Sequence, residues 1–487
     1  MSNDHMRIGR AGACTLPLAL LLVACGGGGG GGDTAGGGDA ITPVWSERIE
    51  PYEPKAAPAM PQASGALARA PAGAAAVIAL GPLPSGQRMA AAPVDAGAPR
   101  QIGQARALPE TASVAATSAL LHWQTTARGT QVAALRFAAQ GARGLRLGVL
   151  VQGLPPGALL RFVGAADAVH EVDAQQLQAL AARNASAGVS DEIARTYWGP
   201  DSRSDEATLE VEIPAGAHPA AVRLAVPRLA HLFMTAAEAE NAVITKAAAV
   251  GCQVDVSCHP DYLEQSRSVA RMTYKAEDDK FYFCTGTLLN DMASSGTPYF
   301  LSAQHCIPSQ AVASTLETEW LYRSESCGSA AASPARRTLV GGATLLYASA
   351  DTDTAFMRLN ATVPASVIYA GSYYGGVPVG QALAGLHHAD GEPLKLSLGT
   401  LLGYSSCTES SCSASGIAGN FLRVDWQQGS TELGSSGSGI FVTIGATRYL
   451  AGQLHGGNAR CDRPDGLDFY GRFDRSYRAA LRQWLNP

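Results

Sequence analysis

The sequence predicts an all-β chain with two folded parts in series, a β-sandwich-like domain and then a double β-barrel. Three observations carry this. Short apolar segments alternate with polar residues and are separated by Pro/Gly turns from about residue 110 onward. Eight of the ten cysteines fall after residue 251. Three polar segments, around His305, Asp353 and Ser436, each sit at the end of an apolar strand pattern.

Taken in order, residues 1–24 carry Arg7, Arg10 and the apolar run ACTLPLALLLVA. That run is too short to span a bilayer as a stable helix and is expected to be an export signal. Leu22-Val23-Ala24-Cys25 resembles a bacterial lipobox, which implies cleavage before Cys25 and lipidation of that residue, the one expected membrane attachment. Residues 25–108, glycine-rich at first and then rich in Ala, Pro and Gly, are expected to be a mostly disordered tether.

Residues 109–246 read as the sandwich-like domain. Leu209-Glu210-Val211-Glu212-Ile213 alternates with period two, and Asp173 to Arg183 is the expected short helix. No catalytic constellation is evident in this part.

In residues 247–487 the eight cysteines Cys252, Cys258, Cys284, Cys306, Cys327, Cys407, Cys412 and Cys461 form an even set in an exported chain, which predicts four disulfides. Zinc is a poor alternative, since CQVDVSC and CTESSC lack paired CxxC spacing. The net charge of −5 gives no reason to expect nucleic acid or an anionic membrane surface as partner.

The stretch TELGSSGSGIF has the composition of a flexible linker, yet it runs directly into two strands joined by Gly445-Ala446. Glycines before a buried hairpin suit a tight turn that fixes a serine. A serine hydroxyl needs a base oriented by a carboxylate. His305 ends the YFLSAQHC segment, and Asp353 stands immediately before the apolar run Ala355-Phe356-Met357. Asp351 competes for this role, but Asp353 is the better candidate because it adjoins the buried strand. The order His305, Asp353, Ser436 is that of the chymotrypsin-type barrels. Ser436 would be the nucleophile and the N–H groups of Gly434 and Ser436 the oxyanion hole, with Ser435 and Ser438 as turn residues.

LSAQHC, DTAFMRL and GSSGSGIF together resemble the signature segments of trypsin-like serine proteases. CQVDVSC, CTGTLLN, YFLSAQHC, GSSGSGI, GQLHGG and DFYGR narrow the resemblance to the bacterial lysyl endopeptidase (Achromobacter protease I-like) family across residues 247–487. The resemblance implies a serine endopeptidase with protein or peptide substrates and no metal or organic cofactor. It also implies the disulfides Cys252–Cys461, Cys258–Cys327 and Cys284–Cys306; Cys407–Cys412 has no family counterpart and would clip a local loop. Asp468 matches the family's specificity aspartate, and a carboxylate in an apolar slot selects a basic residue before the scissile bond and repels an acidic one. Trypsin's own acid position is Ser430 here. Lysine is favoured, with combined Lys/Arg specificity as the alternative.

His455 matches a family histidine beside the substrate cleft, whose aromatic neighbour has no assignable counterpart in this sequence. Gly439 stands where the family usually has proline. The family's mature chain would begin at Ala247, after Lys246, so an enzyme cutting after lysine could release itself from its own propeptide. Ser435 excludes the trypsin type of activation, in which the new N-terminus pairs with an aspartate at that position. A monomer is expected. The rival from another class is an inactive homologue serving as a surface binding module.

Overall fold

The computed structural model describes residues 41–54, 75–84, 98–234, 252–408 and 411–487. The expected signal segment, Cys25, Lys246 and Ala247 lie outside them. Among the described residues no helix is long and apolar enough to cross a membrane.

The amino-terminal domain is built from two sheets. One has the order Ala76–Leu80, Gln131–Ala139, Glu206–Ile213, Leu159–Val163, Val169–Asp173. The other carries Arg100–Ala107, Arg223–Leu232, Gly144–Gly153 and Thr196–Trp198. Leu135, Phe137, Leu160, Leu209 and Val211 of the first meet Leu145, Leu147, Val149, Leu224 and Leu229 of the second in one core. The alternation in Leu209–Ile213 is real, but the intervening glutamates are not free in water. Glu212 is buried against Arg161, which also donates to Glu171 at 2.8 Å, so the charge on this face is neutralised locally. The helix runs Ala174–Ser186, started by a capping box between Asp173 and Gln176.

Within residues 25–108, where a tether is expected, the described segments include regular strands. Ala76–Leu80 pairs in parallel with Gln131–Ala139, and Arg100–Ala107 is a full strand. Their Ala/Gly-rich composition gives little local preference, but edges supplied by distant segments satisfy their backbone groups. Arg100–Ala107 has Arg223–Leu232 on one side and Lys280–Leu289 on the other, so one sheet runs from the first domain into the second. Gly103 sits at the seam, where a Cβ would lie 2.6 Å from the Leu232 side chain and 2.8 Å from the His231 carbonyl. Only glycine fits this approach.

The carboxy-terminal domain is a double barrel. Its second barrel closes fully: Ala382–His387, Lys395–Cys407, Phe421–Gln428, Leu467–Arg472, Thr447–Gly457 and Gly439–Ile444 each pair with the next, and the last returns to the first. The first barrel runs Glu317–Trp320, Val269–Lys275, Lys280–Leu289, Tyr299–Ala303, Thr354–Leu359, Ala343–Ser349. Phe356 and Leu301 of the first barrel share a core with Phe441 of the second and with Phe473 and Leu481 of the C-terminal helical segment. Cys252–Cys461, Cys258–Cys327, Cys284–Cys306 and Cys407–Cys412 are disulfides, all in this domain.

A strap formed by residues 41–54 lies on the same domain, although in sequence it precedes the first domain. Arg48 and Ile49 pair with Tyr373 and Ser372, the Trp45 and Tyr373 rings are 5.3 Å apart, and the Tyr449 hydroxyl donates to Glu50 at 2.6 Å.

Candidate active site

Asp353 is the hub. It occupies a left-handed backbone position at φ 49° directly before the Thr354–Leu359 strand and is 3% exposed. Its Oδ2 is 2.6 Å from His305 Nδ1 and 2.7 Å from His455 Nδ1, while Oδ1 accepts the His305 backbone N–H at 2.9 Å. Burial alone would raise this carboxyl; the imidazoles of His305 and His455 bring it down to about 2. Asp351 is exposed and does not reach the site.

His305 follows the Tyr299–Ala303 strand in a turn, and its neighbour Cys306 is tied by disulfide to Cys284 on the adjacent strand. The next residue along that strand, Thr285, receives the serine segment. Its N–H donates to the Ser436 carbonyl at 2.8 Å and its hydroxyl to the Gly434 carbonyl at 3.0 Å. The Gly437 N–H donates to the Leu454 carbonyl at 2.8 Å, fixing the turn to the strand that carries His455. Two short anchors therefore hold Ser436 relative to His305 and His455. Gly434 and Gly437 take φ +87° and +76°, values that L side chains rarely adopt.

Ser436 is fully buried, and His305 Nε2 is buried with no hydrogen-bond partner among the described residues. The bond between serine and base is thus not formed in this state. The Gly434 N–H instead donates to the Ala98 carbonyl at 3.1 Å. Ser435 is a turn residue: its hydroxyl contacts His387 Nδ1 at 2.8 Å and accepts the Glu432 N–H at 3.2 Å. Ser438 contributes its carbonyl to the Leu454 N–H.

Asp468 is completely buried on the Leu467–Arg472 strand, opposite Gly457. Its Oδ2 accepts from Trp426 Nε1 at 2.6 Å and from the Thr431 hydroxyl at 2.8 Å. Its Oδ1 is buried without a partner among the described residues. A Cβ on residue 457 would fall 2.3 Å from that oxygen, so glycine keeps it uncovered. Burial pushes this carboxyl up to about 6, the Trp426 and Thr431 side-chain donors and the Ala459 backbone N–H offsetting only part of the effect.

The aromatic neighbour of His455, which the sequence left unassigned, is Phe421, with ring centroids 5.0 Å apart. Its strand lies beside Leu467–Arg472, which in turn borders the His455 strand. Only the barrel register brings the two rings together. His305, Asp353 and His455 also form a cluster of metal-ligand types, but both Nδ1 atoms are spent on one carboxylate oxygen, an arrangement of hydrogen bonds and not of converging lone pairs.

Comparison with known proteins gives a consistent result. The profile of the lysyl endopeptidase N-terminal domain matches residues 79–233, and that of the lysyl endopeptidase C-terminal domain matches residues 247–471. The first match begins well inside the stretch that composition alone reads as tether. The lysyl endopeptidase of Pseudomonas aeruginosa is 31% identical over 407 residues, covering 79% of this chain and 81% of that protein. Among solved structures, the active form of the Rv3671c protease from M. tuberculosis aligns with a TM-score of 0.32 and 12% identity, over 47% of this chain and 86% of that one.

Proposed function

The chain belongs to the lysyl endopeptidase family of proteases, and from that membership we propose that it is an exported serine endopeptidase that hydrolyses peptide bonds after lysine. One observation carries the chemistry: the buried Asp353 accepts a hydrogen bond from His305 Nδ1, which fixes the tautomer that leaves Nε2 as the base. Ser436 Oγ would attack the carbonyl carbon of the scissile bond while His305 Nε2 takes its proton. Asp353 would stabilise the resulting imidazolium, and the Gly434 and Ser436 N–H groups the oxyanion. His305 would then hand the proton to the leaving amine, and water would release the acyl group by the same path in reverse.

The lysine preference is supported by Asp468. Its Oδ1 is a buried acceptor for which an ammonium would be the missing partner. A compact ammonium suits a single oxygen better than a forked guanidinium does. Cleavage after Lys246 would separate the catalytic domain from the amino-terminal domain and from a lipid on Cys25. Export of the precursor and its lipidation are part of the same reading and rest on the first 25 residues.

The test is the N-terminal sequence and intact mass of the full chain expressed in a bacterial periplasm, beside Ser436→Ala. The reading expects wild type to start at Ala247 and the variant to stay uncut. Both uncut, with no labelling of Ser436 by a fluorophosphonate, would point to an inactive homologue.

A further inference from the structure

Ala98 to Ala107 is not merely a strand of the amino-terminal domain. The carbonyl of Ala98 accepts from Gly434 N–H, the position where the carbonyl of a cleaved bond would sit. The chain then continues antiparallel to the edge of the first barrel, with Arg100 opposite Phe283, Gln101 opposite Tyr282 and Gly103 opposite Phe281. If the Ala98–Pro99 bond occupies the place of the scissile bond, Arg100 is the second residue after it. Arg100 Nη1 lies 3.6 Å from Asp390 Oδ1, with both side chains mostly shielded from water at 21% and 17% exposure. Asp390 is fixed independently, since its N–H donates to the Leu433 carbonyl, one residue before Gly434.

We propose that Asp390 is the acid of a subsite on the leaving-group side of the cleft, selecting a basic side chain two residues after the scissile bond, and that Arg100 fills it in the precursor. The proposal rests on the protease reading above and adds a specificity residue to it. The Phe281–Phe283 backbone is the rail: the edge that Arg100–Gly103 occupies here would, once vacated, take an extended substrate peptide by strand addition, and alternate side chains of that peptide would then face the barrel wall. Arg100 points to Asp390 because the register places it beside Phe283, whose ring is packed under Gly391, the residue after Asp390. The resident segment resists hydrolysis for two reasons visible in its sequence. Ala98 offers no cation to Asp468, and the nitrogen that would leave belongs to the ring of Pro99.

Two measurements test it. In the uncut Ser436→Ala full chain, hydrogen exchange at residues 98–101 is expected to speed up severalfold when Asp390→Asn is added; asparagine tolerates the left-handed φ of 53° at this position. In matured full-chain preparations, peptides identical up to lysine and differing only in Arg or Glu two residues after it should be cut with a kcat/KM ratio of about tenfold in favour of Arg. Asp390→Asn should bring that ratio below about twofold. Unchanged exchange, or a ratio near one in wild type, overturns the proposal. Faster exchange together with no cleavage after lysine by wild type would instead overturn the protease reading while keeping the Arg100 seat.

Discussion

In the proposed function, Asp468 would tie stability to specificity. Its carboxyl is raised to about 6, against about 4 for an ordinary aspartate. Between those values the folded chain holds a proton that the unfolded chain has released, so the free enzyme loses stability as pH rises from about 4 to about 6. In the proposed function a bound lysine side chain would reverse the preference by pairing with the ionised form. KM for lysyl peptides should therefore fall as pH rises through about 6, and Asp468→Asn should abolish that slope and lower kcat/KM by at least about 100-fold. Steady-state kinetics across pH 5–8 with wild type and variant check this. Asp353 has the opposite sign. Its carboxyl is lowered to about 2, so its contribution is complete above about pH 4 and is lost as pH falls towards 2. His455→Ala removes one of its two imidazole partners; acid unfolding, followed by tryptophan fluorescence, should begin at higher pH, and kcat should fall about tenfold.

Strands and turns convert these side chains into a site. The hub residues were legible in the sequence because each stands at a strand end or in a glycine-flanked turn, positions where local pattern and site coincide. Phe421 was not legible, since its ring reaches His455 only through the register of neighbouring barrel strands. Arg100–Ala107 was missed for a related reason: its partners begin more than a hundred residues away, at Arg223 and Lys280, and its own composition is weak. The turn itself makes a sharp test. A Cβ at Gly437 would sit 2.1 Å from the Ser302 hydroxyl and 2.6 Å from the Thr285 carbonyl, whereas at Gly445 it would meet nothing within 4 Å. Both have positive φ. Gly445→Ala should cost about 1 kcal/mol from backbone strain alone. Gly437→Ala should cost more than about 3 kcal/mol and eliminate fluorophosphonate labelling; denaturant titrations of the two variants compare them.

At the scale of the whole chain, the two domains are joined by charge as well as by the shared sheet. Arg146 donates to the Thr315 carbonyl at 2.8 Å, the Asp201 N–H to Glu317 at 3.1 Å and Arg203 to Glu319 at 2.9 Å. Desolvation, reinforced by Glu317, pushes the Asp201 carboxyl up to about 6. The contact is therefore stronger below about pH 4 and weakens as pH rises through 6. Hydrogen exchange along Gly144–Gly153 should quicken over that interval, and Asp201→Asn should flatten the dependence.

The strap formed by residues 41–54 changes what a single cut can accomplish. Together with the Arg100–Ala107 strand it grips the catalytic domain on two separate edges, connected through residues 55–99. A ligand held at two points leaves only when both are open at once, because the grip still closed keeps the other at an effective concentration of about millimolar. A chain severed after Lys246 would accordingly persist as a two-piece complex sustained by avidity. The lifetime of that complex, and so the delay before activity, would then be set by how often both grips open together.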